Sequence, residues 1–216
     1  MGAGADKKWV DRKVAGAIDY TLYLQWKLSN RFTLTSRTNF EVLTDNNQYI
    51  ATKVFSGMNR FIVGKMDRKT LYTTLRAEYF ISPEFSLQYY GSPYASIGKF
   101  REIYRVTDPY AHRPVNRYSV LKTLTINDDK FYLDENGDGK SDYYIKNPDF
   151  NFQEFRSNFV LRWEYKAGST AYLVWSHNRS SYENQYNADI LESFGGIAGL
   201  TPQNLFMLKL SYWFSL

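Results

Sequence analysis

The residues best spaced for chemistry form the run Asp134-Glu135-Asn136-Gly137-Asp138-Gly139-Lys140-Ser141-Asp142. Oxygen-bearing side chains alternate along it and a glycine follows Asp138, which is the spacing of a calcium-binding loop. Lys140 would contribute only its backbone carbonyl. The expected ligand set is therefore Asp134, Asn136, Asp138, Lys140 and Asp142, around a Ca2+ that orders a loop and takes no part in catalysis. Ile145 stands where a helix–loop–helix calcium site carries its bidentate glutamate, and no helical pattern flanks the run. The alternative is a polar Asp/Asn/Gly turn that needs no ion.

A second run, Lys99-Phe100-Arg101-Glu102-Ile103-Tyr104-Arg105, continues to His112-Arg113 and Arg117-Tyr118. Arginine interleaved with tyrosine can line a constriction or hold an anionic or sugar ligand. It can equally fold against a wall and pair with carboxylates there. Support for enzyme chemistry is thin, and a non-enzyme is expected. The chain has two histidines, His112 and His177, no cysteine, and no nucleophile-elbow, HExxH or P-loop spacing. Ser176 and His177 are adjacent on an alternating segment and so point to opposite faces, which bars them from acting as a dyad.

The elements that position these residues are strands. The last segment, Leu205 to Leu216, puts Phe206, Leu208, Leu210, Tyr212, Phe214 and Leu216 on one face. Leu205, Met207, Lys209, Ser211, Trp213 and Ser215 fall on the other. Upstream, Ile18, Tyr20, Leu22, Leu24, Trp26 and Leu28 alternate with Asp19, Thr21, Tyr23, Gln25 and Lys27. Phe32, Leu34, Phe40 and Val42 oppose Thr33, Thr35, Arg37, Asn39 and Glu41. Thr70 to Ile81, a segment from Phe85, the run SNFVLRWEY and a segment carrying Leu173 and Trp175 repeat the pattern. Arg37/Glu41, Arg76/Glu78 and Arg162/Glu164 then share the polar faces as expected ion pairs. Trp26, Tyr79, Trp163, Tyr165, Trp175 and Tyr212 are expected in aromatic girdles.

Tight turns at Ser29-Asn30, Ser82-Pro83-Glu84 and Ala167-Gly168-Ser169 alternate with long connections at about 44–68, 99–150 and 184–202. Short and long connections in strict alternation, with strands of bilayer-crossing length, describe an up-and-down membrane barrel. A Greek-key sandwich, the soluble alternative, would mix its loop lengths. The expected fold is all-β, an antiparallel up-and-down transmembrane β-barrel domain over residues 1–216, of about seven or eight strands. Single-chain barrels usually carry an even number, so an odd count suggests the C-terminal portion of a larger barrel, with further strands upstream or within 1–15 or 48–66.

Composition agrees with that class. Aromatic residues make up 18% of the chain. Mean hydropathy is nevertheless −0.50, as expected where lipid-facing and lumen-facing residues average out. No apolar run approaches the roughly 20 residues of a spanning helix. The net charge of +5 is scattered rather than striped, which argues against nucleic acid as a partner. The opening MGAGADKKWVDRK has no apolar signal-peptide core.

Three stretches, RKTLYTTLRAEYFISPEFSLQYYGSPY, DENGDGKSDYY with NPDFNFQEFRSNFVLRWEYKAGSTAYLVWSHNRS, and NLFMLKLSYWF, resemble a known family. It is the C-terminal β-barrel domain, of uncharacterised function, found in exported proteins of Bacteroidetes-type bacteria. There the barrel follows an N-terminal domain similar to family-9 carbohydrate-binding modules. The resemblance covers most of residues 60 to 216 and transfers no catalytic residue. It implies a bacterial outer-membrane location, with outer-membrane lipid and the insertion machinery as partners. A surface glycan would be held by an N-terminal domain absent from this sequence. The expected role is a non-enzymatic anchor or scaffold for that glycan-related domain, with pore formation as an added role. The rivals are a small-solute channel and the barrel part of a carbohydrate-processing surface enzyme.

Overall fold

The structure, a computed structural model, describes residues 2–4, 15–127 and 129–214. Its strands are β1 (Gly2–Gly4), β2 (Ala15–Ser29), β3 (Phe32–Phe55), β4 (Met58–Phe80), β5 (Phe85–Val106), β6 (Tyr118–Val120), β7 (Lys122–Asn127), β8 (Lys130–Asp134), β9 (Tyr143–Lys146), β10 (Phe150–Lys166), β11 (Ser169–Glu183) and β12 (Gln203–Ser211). One short helix, α1 (Ile190–Gly196), precedes β12. The main sheet runs β1-β2-β3-β4-β5-β10-β11-β12, with β6 added on β5, and every pairing in it is antiparallel. A second, three-stranded sheet is ordered β7-β8-β9. Among the described residues β1 and β12 are the two ends of the main order. The strand expected to end at Leu216 is assigned only to Ser211, and Ser215 and Leu216 lie outside the described residues.

Register carries the apolar alternation of each strand into its neighbour. Phe32 faces Tyr79, Tyr79 faces Leu87, Leu87 faces Leu161, Leu161 faces Leu173, and Leu173 faces Leu208. The next row reads Trp26, Leu34, Ala77, Tyr89, Phe159, Trp175 and Phe206. Because side chains alternate, a slip of one residue in any pairing would break both rows. The opposite face carries Thr35, Arg76, Tyr90, Asn158 and Ser176 in one cross-strand row, and Arg162, Tyr172 and Lys209 in another.

The apolar rows are bare. Leu208, Leu210 and Phe206 are each about two-thirds exposed (66%, 67% and 67%), and Trp26, Tyr79, Trp163 and Trp175 are exposed beside them. The chain presents 14109 Å² to its surroundings. A compact monomer of its mass, 25.4 kDa, would present about 10000 Å² by the usual size scaling. A second layer of the same chain, as in a sandwich, would have covered this face. None of the described residues does so near the short turns.

At the other end of the strands both faces are covered. The apolar face receives α1, whose Ile190 packs with Ala95 and Ile97 next to Phe40, Leu71 and Phe194. The polar face receives the small sheet, whose Phe131, Leu133 and Ile145, with Leu121 ahead of it, enclose Ile62, Met66, Phe100 and Ile103. These clusters hold the buried apolar core. It sits at the long-connection end, away from the bare belt.

The three expected long loops are built as regular structure in part or throughout. Residues 44–68 are the continuation of β3 and β4 into an extended hairpin, closed by Phe55 opposite Met58. Its two turn residues, Ser56 and Gly57, both have positive φ (51° and 73°). That is the conformation of a two-residue hairpin turn that matches strand twist. Register shifts between Asp45 and Gln48 and between Tyr49 and Ala51 break the alternation there, which hides the strands from a period-two reading. Within 99–150, β5 persists to Val106 and the rest builds β6 to β9. Within 184–202, α1 is capped by Asp189, whose carboxylate accepts the amides of Leu191 and Glu192.

Candidate functional site

The expected calcium loop closes β8 back toward β9 and is built of side-chain-to-backbone bonds. Asp134, almost fully buried, accepts the Gly137 amide at 2.6 Å with one oxygen and the Gly139 amide at 2.9 Å with the other. Gly137 and Gly139 both have positive φ (81° and 83°), a region only glycine adopts freely. Asn136 accepts from the Asp138 amide at 2.9 Å, and Asp138 from the Lys140 amide at 2.8 Å. Asp142 accepts the Glu135 and Asn136 amides at 2.7 and 3.1 Å. All five expected residues therefore share one tight loop. As folded, the side-chain oxygens of Asp134, Asn136, Asp138 and Asp142 turn toward the loop's own amides. Among the described residues no three His, Cys, Asp or Glu side chains gather as a metal-binding group.

The residue of this loop that reaches furthest is Glu135, which the calcium spacing passes over. One carboxylate oxygen receives Arg60 Nε at 2.8 Å and also pairs with Arg105, while the other accepts the Tyr143 hydroxyl at 2.8 Å. The Glu135 side chain is 7% exposed and that of Arg60 12%. Arg60 comes from β4 and Arg105 from β5, so this one carboxylate ties the small sheet to two strands of the large one. Burial, then the hydrogen bond and charge of Glu135, push the Tyr143 hydroxyl well above its ordinary pKa.

The Arg/Tyr run from Lys99 does not gather at one point. Arg101 pairs with Asp67 on β4, Arg105 with Glu135, and the Arg117 guanidinium donates to the Ala111 carbonyl at 2.8 Å. Tyr104 bonds Glu102 and lies near Tyr118 with ring centroids 6.1 Å apart. Burial, then Glu102, raise its hydroxyl pKa to about 12. His112 and Arg113 are exposed. Ser176 and His177 diverge: Ser176 donates to Asn158 at 2.7 Å on the polar face, while His177 lies between Arg179 and Asn204 on the other.

Of the expected pairs along the polar face, Arg162–Glu164 forms at 2.8 Å. The other two do not. Glu41 is taken by Arg68 on the neighbouring strand at 2.7 Å, Arg37 donates to Asn39 at 3.2 Å, and Arg76 lies over the Tyr90 ring at 5.4 Å. For Arg37 and Glu41 the reason is distance: residues four apart on a strand are about 13 Å apart, whereas cross-strand partners sit at about 5 Å. Arg76 and Glu78 have the same two-residue spacing as Arg162 and Glu164, and Arg76 lies on the Tyr90 ring instead.

Above this wall lies a cavity of about 700 Å³, between the extended β3–β4 hairpin and the β9–β10 connection. Lys53, Arg68 and Lys146 line it together with Tyr49 and Tyr182. The connection is fixed in place by Asp149, whose carboxylate accepts the Phe100 amide at 2.7 Å, and by Asn147, which donates to the Asn184 carbonyl at 2.7 Å. Burial raises the pKa of the Asp149 carboxyl, opposed by the Phe100 amide and Lys99.

The class these features define is an all-β protein built on one antiparallel meander, with a small sheet folded over one face and a helix over the other. The chain belongs to the family described as Domain of unknown function (DUF5916), whose model it matches over residues 3–215. No curated protein and no solved structure matches it.

Proposed function

We propose that this chain is the wall of a bacterial outer-membrane β-barrel, acting as a non-enzymatic anchor or scaffold for an upstream glycan-related domain. The observation that carries this is the bare apolar face made continuous by register, from Phe32 across to Leu208. Burying a side chain such as Leu or Phe is worth about 1.5–3 kcal/mol, so leaving this many in water is costly. Hydrocarbon removes that cost. On β10 the stretch from Phe155 to Tyr165, with its odd-numbered residues outward, matches the length of about nine to eleven residues that a tilted strand needs.

The alternation of connections supports the same orientation. Turns at 30–31, 81–84 and 167–168 lie at the bare end, and the elaborated segments lie at the other. Turn-side residues then face the periplasm, while the β3–β4 hairpin, the small sheet and α1 stand outside the cell. Closure of the meander into a barrel satisfies the open edges of β1 and β12, which lipid would not tolerate unpaired.

Planar-bilayer recording separates the anchor from a channel. The anchor reading expects a reconstituted, folded protein that produces no discrete conductance steps. Regular steps would instead make it a small-solute pore.

The oxygen spacing of 134–142 supports Ca2+ as that loop's ligand, held by Asp134, Asn136, Asp138, Asp142 and the Lys140 carbonyl. Calorimetric titration is expected to give saturable Ca2+ binding, weakened about tenfold or more by Asp138→Ala. A flat titration removes Ca2+ and leaves the loop as a self-closed turn.

A further inference from the structure

We infer that the cavity between the β3–β4 hairpin and the β9–β10 connection binds an acidic oligosaccharide, one carrying carboxylate or sulfate groups. The inference goes beyond the membrane reading and does not depend on it, because the cavity is shaped by the covered end of the sheet.

Three features select the ligand. The cavity's volume, about 700 Å³, lies within the roughly 300–1000 Å³ of small-molecule sites. Its charge is one-sided: among the described residues the lining holds the cations Lys53, Arg68 and Lys146 and no carboxylate. Arg68 has one guanidinium nitrogen engaged by Glu41, and Lys53 rests over the Tyr144 ring at 4.9 Å. Both cations are thus held in place by neighbours outside the cavity. Such a site attracts anions and repels metal ions.

Aromatic geometry narrows the class further. Tyr182 is 61% exposed and stacked on Phe150, with ring centroids 6.4 Å apart and planes 10° from parallel. The two rings occupy each other, so no slot remains between them for a flat base, and only the outer face of Tyr182 is offered. A single exposed aromatic face suits the C–H face of a sugar ring. Tyr49, also exposed, stands on the hairpin side of the same cavity, and Gln48 adds an amide able to reach hydroxyl groups. Among the described residues no glycine-rich loop or helix N-terminus lines the cavity to cradle a phosphate.

Calorimetry on the full chain in detergent, with a galacturonic acid tetramer as probe, tests this. Binding is expected to be saturable, to weaken with salt, and to exceed that of a neutral maltotetraose by about tenfold or more. Tyr182 and Lys146 are exposed, so Tyr182→Ala and Lys146→Met leave the fold intact. Each is expected to raise the Kd about tenfold. Circular dichroism of both variants should match the parent. Absence of binding up to about 10 mM overturns the proposal. So does inorganic phosphate binding as tightly as the tetramer, maltotetraose binding equally well, or tetramer binding indifferent to Tyr182→Ala. None of these results bears on whether the bare face meets lipid, so failure here leaves the membrane reading standing.

Discussion

Leu173→Arg is expected to abolish insertion of the folded chain into lipid bilayers, whereas Val174→Arg, one residue along, leaves insertion within about twofold of the parent. Leu173 is exposed in the middle of the apolar row, paired with Leu161 on one side and Leu208 on the other. Val174 pairs with Val160 and Met207 in the row that also contains Gln88 and Glu78, on the polar face. An arginine facing hydrocarbon costs about 2–4 kcal/mol near the bilayer midplane, and Leu208→Arg in the same row adds a comparable amount. The measurement is the fraction of protein that floats with vesicles and resists protease. The contrast between neighbours matters more than either result alone. A general folding defect would strike both positions, and a water-exposed surface would accept arginine at both.

Glu135→Ala is expected to release the small sheet from the large one. Truncation leaves the largely buried Arg60 and the partly buried Arg105 without their carboxylate and removes the acceptor of Tyr143. Breaking a buried pair in this way costs about 3–5 kcal/mol. The readout is limited trypsin digestion, since β7 to β9 carry Lys122, Lys130 and Lys146. Cleavage within 107–149 should accelerate on the order of 100-fold or more, while the meander stays protected. Replacing Arg60, Arg105 and Glu135 together by methionine should recover much of the loss, because no charge is then left buried. Cleavage of Glu135→Ala at the parent rate would show that the small sheet is held by its apolar contacts alone.

The part of the fold legible in the sequence is the part governed by strict alternation. Phe206, Leu208 and Leu210, or Phe159, Leu161 and Trp163, recur at every second position because one side of the sheet has one environment throughout. Tight turns at Asn30, Pro83 and Gly168 then fix the register between neighbours. The hairpin beyond Asp45 stays hidden because two register shifts break the period and because one of its faces packs on the small sheet. Helix α1 has only seven residues, too short for a helical period to stand out. Asp189 as its cap and the Ile190/Phe194 spacing are its signature.

The site residues divide in the same way. Asp134, Asn136, Asp138 and Asp142 are local in sequence, and their shared loop can be read from spacing. Glu135's partners and the cavity cannot. Arg60 and Glu135 are 75 positions apart, and the cavity draws on the β3–β4 hairpin, the β9–β10 connection and the end of β11. Such groupings arise from strand order, in which β5 skips the small sheet to pair with β10. Local spacing carries no record of that choice.

The most direct test asks what surrounds the side chain at position 173. The chain contains no cysteine, so Leu173→Cys and Val174→Cys each give a single labelling site for an environment-sensitive fluorophore. In vesicles whose acyl chains are brominated, the label at 173 is expected to be strongly quenched and the label at 174 nearly untouched. Equal quenching at the two positions, or a label at 173 that answers only to aqueous iodide, would contradict the account.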